Sequence, residues 1–305
     1  MKYVGLQAQI SRNNRNSFLL LIAFPTLLLG MLYVFFFFAD EQKTDKVNEH
    51  FFMALPFVLI AVTIWFLIAW AGHSAMIRMA THAHPLERKE NKRVYNLTEN
   101  LCIQLGMQTP KIYIIDDDSL NAYASGINNK TYAVTLSKGM IEKLDDEELE
   151  GVIGHELTHI RNRDTRLLII SIIFVGIFAF LAQMALRSLY YGGSRRRKDG
   201  GYIVLIAILV TVIAYFISLF LRFGISRSRE YMADAGAAEM TKKPYALARA
   251  LRKVSGDPRI EAVKNKDVAQ LFIENPQEPK KNSFNSLFST HPPIEKRIQL
   301  LEQFA

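Results

Sequence analysis

The chain of 305 residues contains a single cysteine, Cys102. That excludes an intramolecular disulfide and a thiolate cage for a metal, so any bound metal must rest on histidine and carboxylate. Histidine is scarce too, at seven residues, which makes the spacing between histidines informative. No small-residue cleavage site follows the first apolar run, which ends in Phe35, Phe36, Phe37 and Phe38 and leads into an acidic turn at Asp40. The run therefore reads as an uncleaved span, not a signal peptide. No stretch repeats internally. The basic residues form no single cluster but flank apolar segments, as the positive-inside rule expects, and this argues against nucleic acid as a partner.

What is present is apolar bulk. Half of the chain is hydrophobic (50%), the formal net charge is +8 and the mean hydropathy is +0.08, values that suit a membrane protein with a soluble part. Four apolar segments, 18–39, 51–71, 167–190 and 202–221, are long enough to span a bilayer at about 1.5 Å per residue. Lys2, Arg12 and Arg15 precede the first, and Arg78, Arg88, Lys89, Lys92 and Arg93 follow the second, while the loop between them carries Asp40, Glu41, Asp45 and Glu49. This charge pattern predicts a cytoplasmic N-terminus and a cytoplasmic domain after residue 71. The linker of the second hairpin, with Arg195, Arg196, Arg197 and Lys198, runs against that tendency, so a kinked hairpin that does not cross stays open beside two further spans. The expected organisation is a cytoplasmic terminus (1–17), a transmembrane hairpin (18–71), a first domain part (72–166), a second apolar hairpin (167–222) and a second domain part (223–305).

His155, Glu156, Leu157, Thr158 and His159 form an H-E-x-x-H run. On a helix the two imidazoles stand about 40° apart around the axis and can grip one zinc ion. Glu156 lies roughly 100° further round, where a carboxylate flanks the metal and can act as general base in metal-assisted peptide hydrolysis. With so few histidines, a chance run is on the order of a one per cent event. The local signals agree on a helix. Asp145 and Glu148 form a capping box, Val152, Ile153, Leu157 and Ile160 form an apolar stripe, and Arg161, Arg163 and Arg166 are expected at its C-terminal end. The rival reading, two surface histidines on an amphipathic helix, fails only if a third ligand exists.

Around this helix the periodicity predicts a helix over 87–105 closed by Gly106, strands over 112–115, 121–125 and 132–136 in a small mixed sheet, and helices over 226–240, 244–254 and 292–304, the last with prolines in its first turn. The polar stretch 257–289 reads as a surface excursion.

His50, His73, His82 and His84 are available as third ligands, but Glu230 and Asp234 are better placed. Four residues apart, they share one helix face, and Ala233, Ala235, Gly236, Ala237 and Ala238 are small enough to let that helix approach another. One acid would bind zinc and the other would hold a ligand imidazole by its free N–H. Spacing alone does not settle this, because an unsupported E-x-x-x-D is more often a solvated acidic patch.

The pentad within residues 149–159, Glu230 with Asp234, Asn121 with Ala122 upstream, and Thr290-His291-Pro292-Pro293 downstream resemble the HtpX-like family of bacterial membrane-bound zinc metalloproteases, over residues 86–297. The resemblance implies a membrane α+β fold: four transmembrane helices and a cytoplasmic, mainly helical zincin-type domain carrying a small β-sheet. It implies one Zn2+ per chain on His155, His159 and Glu230, Glu156 as catalytic base, and Asp234 in support of a ligand. It also implies a multi-pass protein of the bacterial plasma membrane whose substrates are damaged or misassembled membrane proteins or unfolded polypeptides. A homo-oligomer is left open. Asn121 and Ala122 resemble the family's substrate edge, where an exposed strand would take up an extended peptide, against the alternative of an ordinary turn. His291, before a proline, would stabilise the developing oxyanion or serve as a capping or surface histidine. Arg297 either pairs with a carboxylate near the site or lies on a solvated face, and Asp164 caps or pairs locally with no catalytic role. Two rivals stand: a CAAX prenyl endopeptidase-like protease, whose family uses more spans, and a catalytically silent membrane scaffold, which would bind no zinc.

Overall fold

The structure is a computed structural model, and it describes residues 6–40, 43–191, 208–209, 211–213, 215, 227–256, 271–273 and 292–303. The chain divides into two units. One comprises residues 1–14, 73–169 and 223–305, the other 15–72 and 170–222.

The second unit is helical. Helix α1 (Leu6–Ala39) supplies its first run and α2 (Thr44–Thr81) its second; the third belongs to α6 (Asp164–Tyr191). Aromatic rings hold these runs together: Phe24 stacks on Phe174 with centroids 4.8 Å apart, Phe66 lies 5.5 Å from the same ring, and Tyr33 meets Phe51 edge-on at 5.3 Å. Phe18, Phe52, Phe57 and Ile68 are exposed, an outward apolar surface that suits lipid rather than water. Among the described residues three helices, not the expected four, are long and apolar enough to cross a membrane. The fourth expected segment, 202–221, lies outside the described residues except at 208–209, 211–213 and 215. Helices α1 and α2 also outrun their apolar segments, because hydropathy marks the surrounding solvent, whereas the helical backbone continues into polar residues such as Arg12 and Asn13.

The first unit is built on a four-stranded mixed sheet in the order β1-β2-β4-β3. Strand β2 (Lys111–Ile115) runs parallel to β4 (Ala133–Ser137), while β1 (His84–Pro85) and β3 (Ala122–Ser125) pair antiparallel at the two edges. The two-residue β1 has no sequence signature, being too short for any alternation. Ser137 ends β4 and caps α4 (Lys138–Lys143), an unexpected helix whose second residue, Gly139, leaves no room for a Cβ: one would lie 1.9 Å from the Asp118 carbonyl oxygen.

The central helix is α5 (Asp146–Arg161). Asp145 accepts from the Glu148 N–H at 2.8 Å and Glu148 reaches back to the Asp145 N–H at 3.0 Å, so the expected capping box is formed. Leu149, Val152, Ile153 and Leu157 are fully buried against α3 (Lys92–Leu105), β3, α7 (Arg227–Thr241) and α8 (Pro244–Gly256). Helix α9 (Ile294–Gln303) closes this core against α7 and α8.

Boundaries moved where a cap decided them. Helix α3 starts at Lys92 and not at 87, because the Asn91 side chain accepts from the Val94 N–H at 3.0 Å after a turn at Glu87. Helix α9 starts after its prolines, with the Pro293 carbonyl accepting its first bond from Lys296. Arg166 is not at the end of α5: the helix stops at Arg161, Arg163 turns left-handed (φ 62°) and Asp164 opens α6.

Candidate metal centre

His155 and His159 lie one turn apart on α5, with rings 4.7 Å apart and their Nε2 atoms separated by 3.1 Å. Helix α7 crosses close to them because its contact face is small: Ala233 and Ala237 are fully buried, and a Cβ on Gly236 would lie 2.5 Å from Thr158 Cγ2. That approach delivers Glu230, whose Oε1 is 3.5 Å from His159 Nε2 and whose Oε2 is 3.6 Å from His155 Nε2. Among the described residues these three form the one group of histidine, cysteine and carboxylate side chains able to hold a metal ion, their ligand atoms lying within 4.8 Å of one another. The expected third ligand is therefore Glu230. His50, His73 and His84 sit elsewhere, beside Asp40, Ser74 and Asp116.

The outer nitrogens fix the chemistry. His155 Nδ1 faces Asp234 Oδ1 at 2.9 Å and His159 Nδ1 faces Asp164 Oδ2 at 3.0 Å, so each Nδ1 carries a hydrogen toward a carboxylate. Both Nε2 lone pairs then point at one place beside the Glu230 carboxylate, and only a positive charge satisfies all three. Burial alone would lower the His155 imidazole, but hydrogen bonds to Asp234 and Glu230 prevail and raise its pKa to about 9. The ligand separations also match an ion: tetrahedral partners about 2.0–2.1 Å from zinc lie roughly 3.3 Å from one another. Two imidazoles and one carboxylate make a zinc set with a coordination position to spare. Cys102, free and buried, is not part of this group.

The sequence pattern of Peptidase family M48 matches residues 88–305. The chain belongs to that family, among its HtpX-like members. It is 58% identical over 322 residues to a Protease HtpX homolog of Bacteroides fragilis, covering 100% of both chains, and 34% identical over 304 residues to one from Dictyoglomus thermophilum, covering 99% of this chain and 95% of that one. The fold also resembles the crystal structure of S. mikatae Ste24p, with a TM-score of 0.50 at 18% identity, over 96% of this chain and 66% of that one. Family and triad together make this M48 protein a membrane-associated zinc metalloprotease with a single zinc site.

Around the M48 triad, two residues take roles that spacing left undecided. Arg297, on α9, is fully buried and not on a solvated face: it grips Asp234, approaches Glu230 Oε2 at 3.4 Å and donates to the Ile273 carbonyl at 3.1 Å. Burial raises the Asp234 carboxyl, but the Arg297 charge together with the hydrogen bonds from His155 and Arg297 outweighs it and holds the carboxyl below the usual carboxylate range. Asp164, read from sequence as a local cap or pair, pairs with the nearby His159 and so orients a zinc ligand. Five residues after His159, it would point about 140° away on a continuous helix. The left-handed break at Arg163 brings it back, and no sequence pattern announces that break.

Glu156 is buried on the same helix, and burial pushes its carboxyl up while the neighbouring His155 and His159 draw it down. The Ala124 backbone N–H also favours its charged form. Ala122 opens β3 beside α5, with Asn121 just before it, but the edge there is not exposed. Ala122 carbonyl accepts from the Ile273 N–H at 2.8 Å, and Phe272 packs edge-on against Tyr123 at 4.8 Å. The expectation of an open edge at Ala122 is corrected accordingly: a segment far along the chain pairs there, a contact invisible to periodicity. His291 lies outside the described residues.

Proposed function

We propose that this protein hydrolyses peptide bonds in damaged or misassembled membrane proteins or unfolded polypeptides, from a catalytic domain made of residues 72–166 and 223–305 on the cytoplasmic side of the bacterial inner membrane. The observation that carries the reading is the buried Glu156 carboxylate on the helix that presents His155 and His159, opposite Glu230. Zinc, held by His155, His159 and Glu230, would supply Lewis acidity at a position left for substrate and water. Glu156 accepts a proton from the attacking water at its carboxylate and returns it to the leaving amine. Its upward shift suits that double duty, because a base that is too acidic takes the proton poorly. Asp234 and Asp164 hold the imidazoles in the tautomer that offers Nε2 to the metal, and Arg297 keeps Asp234 charged.

Ala124, on β3, turns its N–H to Glu156. His291 is assigned to the oxyanion by resemblance to the family. The basic flanks of the first hairpin support the cytoplasmic orientation. A silent scaffold has no use for a ligand triad whose outer nitrogens are both fixed by carboxylates. The deciding experiment is Glu156→Gln in the zinc-loaded protein. Cleavage of an unfolded membrane protein should fall at least about a hundredfold with zinc retained, and near-normal turnover refutes the assignment.

A further inference from the structure

Asn13 stands in the first turns of α1, more than a hundred residues from any part of the metal centre in sequence, yet it is 2% exposed. Its side-chain nitrogen donates twice, to the Asn162 carbonyl at 2.7 Å and to Asp164 Oδ1 at 2.6 Å. An amide NH2 has two hydrogens, and both are used. The two acceptors are the C-cap of α5 and the first residue of α6, so Asn13 clamps the junction where the zinc-binding helix ends. The other oxygen of Asp164, Oδ2, receives His159 Nδ1 at 3.0 Å. A continuous line of hydrogen bonds thus runs from α1 to the ring of a zinc ligand.

The junction is otherwise strained, since Arg163 takes a left-handed conformation (φ 62°) without being glycine. Its guanidinium is held by the Asn14 side chain at 3.0 Å, and Arg229, the neighbour of Glu230, donates to the Asp164 carbonyl at 3.3 Å. A carboxylate bonded through one oxygen keeps rotational freedom about its last side-chain bond. Bonded through both, it holds one plane and presents a fixed acceptor to His159.

We propose that Asn13 is a positioning residue of the zinc site, fixing the Asp164 carboxylate and through it the orientation and tautomer of His159. The inference rests on the zinc-protease reading above and adds to it a residue on the same unbroken helix as the first apolar run. Asn13 touches neither metal nor substrate. Its removal should loosen a ligand and leave the substrate-binding surface alone.

The test uses the full-length protein in detergent, loaded with zinc, with zinc affinity measured by chelator competition, kcat and KM measured on an unfolded polypeptide, and folding followed by thermal unfolding. Asn13→Ala should lower zinc affinity about tenfold, the lower end of the range for partners of ligating histidines. It should lower kcat with KM unchanged. In an Asp164→Ala background, already weakened, Asn13→Ala should have no further effect on zinc affinity, because the route through which it acts is gone. If Asn13→Ala does not fold, Asn13→Gln, which displaces the amide by one methylene, is measured in its place with the same expectation. Wild-type zinc affinity and kcat in the folded variant overturn the proposal, as does an undiminished further loss in the Asp164→Ala background. A wild-type protein that binds no zinc refutes the zinc reading itself, which is a separate result.

Discussion

Arg297 meets Asp234 through two parallel hydrogen bonds, Nε to Oδ2 at 2.8 Å and Nη2 to Oδ1 at 2.7 Å, and Oδ1 is also the oxygen that faces His155 Nδ1. A fully buried guanidinium thereby fixes the carboxylate that fixes a zinc ligand, and it reaches the Ile273 carbonyl with its remaining edge.

Arg297→Ala should therefore be far more damaging than a surface change. Breaking a buried pair by removing one partner costs about 3–5 kcal/mol, because the remaining charge is left in a low dielectric. Arg297→Lys should fail as well, since an ammonium cannot span both oxygens of Asp234. Thermal unfolding and zinc content report both effects. A variant with the wild-type Tm and full zinc would show that the pair contributes nothing.

Glu230 and Asp234 share a helix face but not a role. Glu230→Ala removes a ligand and should drop bound zinc well below one per chain after dialysis. Asp234→Asn leaves the ligands in place and should weaken zinc affinity about ten- to a hundredfold. Metal analysis and chelator titration separate the two. Equal zinc content in wild type and Glu230→Ala would point to another third ligand, with His291 the first to test.

The capping box of the zinc helix should be visible in the pH dependence of stability. The Glu148 backbone N–H, helped by Arg249, holds the Asp145 carboxyl below the usual carboxylate range. A carboxylate lowered in the folded state contributes its full stabilisation above its unfolded pKa and loses it as pH falls through the folded value. Asp145→Ala should cost about 1 kcal/mol at neutral pH, the usual worth of an N-cap. The difference in Tm from wild type should narrow as the buffer is taken below about pH 4. A difference that stays constant down to strongly acidic pH would rule out the charged cap.

The second apolar hairpin should carry residue 194 across the membrane. Two segments with about fourteen large aliphatic or phenylalanine residues each favour insertion by roughly 8–17 kcal/mol, against some 7 kcal/mol for holding about three net charges on the positive side. A single cysteine placed at Ser194 should react with a membrane-impermeant maleimide in intact cells. Cys102→Ser supplies the background, so that the introduced thiol is the only one in the chain. Labelling that appears only after the membrane is breached would mean that the hairpin does not cross.

Much of the centre is legible in the sequence because it is periodic. His155, Glu156 and His159 are set by one turn of one helix, and the box of Asp145 and Glu148 together with the stripe from Val152 to Ile160 says where that helix lies. Glu230 and Asp234 repeat the same spacing on a second helix whose small residues announce a close crossing. Apolar length likewise marks α1, α2 and α6 as membrane candidates, though not where their helical backbone begins.

The sequence by itself thus determined two of the zinc ligands, His155 and His159, since ligands on one helix obey the geometry of that helix, and offered Glu230 as one candidate for the third. Only the tertiary structure decided what holds the ligands. Asn13, Asp164, Arg297 and Ile273 reach the site from four different segments, by contacts such as that of Asn13 with Asp164, 151 residues apart in the chain. Such contacts leave no periodic trace, because they depend on where helices stop and cross: a left-handed Arg163 redirects Asp164, and a buried Arg297 exists only because α9 closes on α7. A polar side chain that looks solvated in isolation becomes a strut once folding has removed its water, and burial is a property of the whole chain.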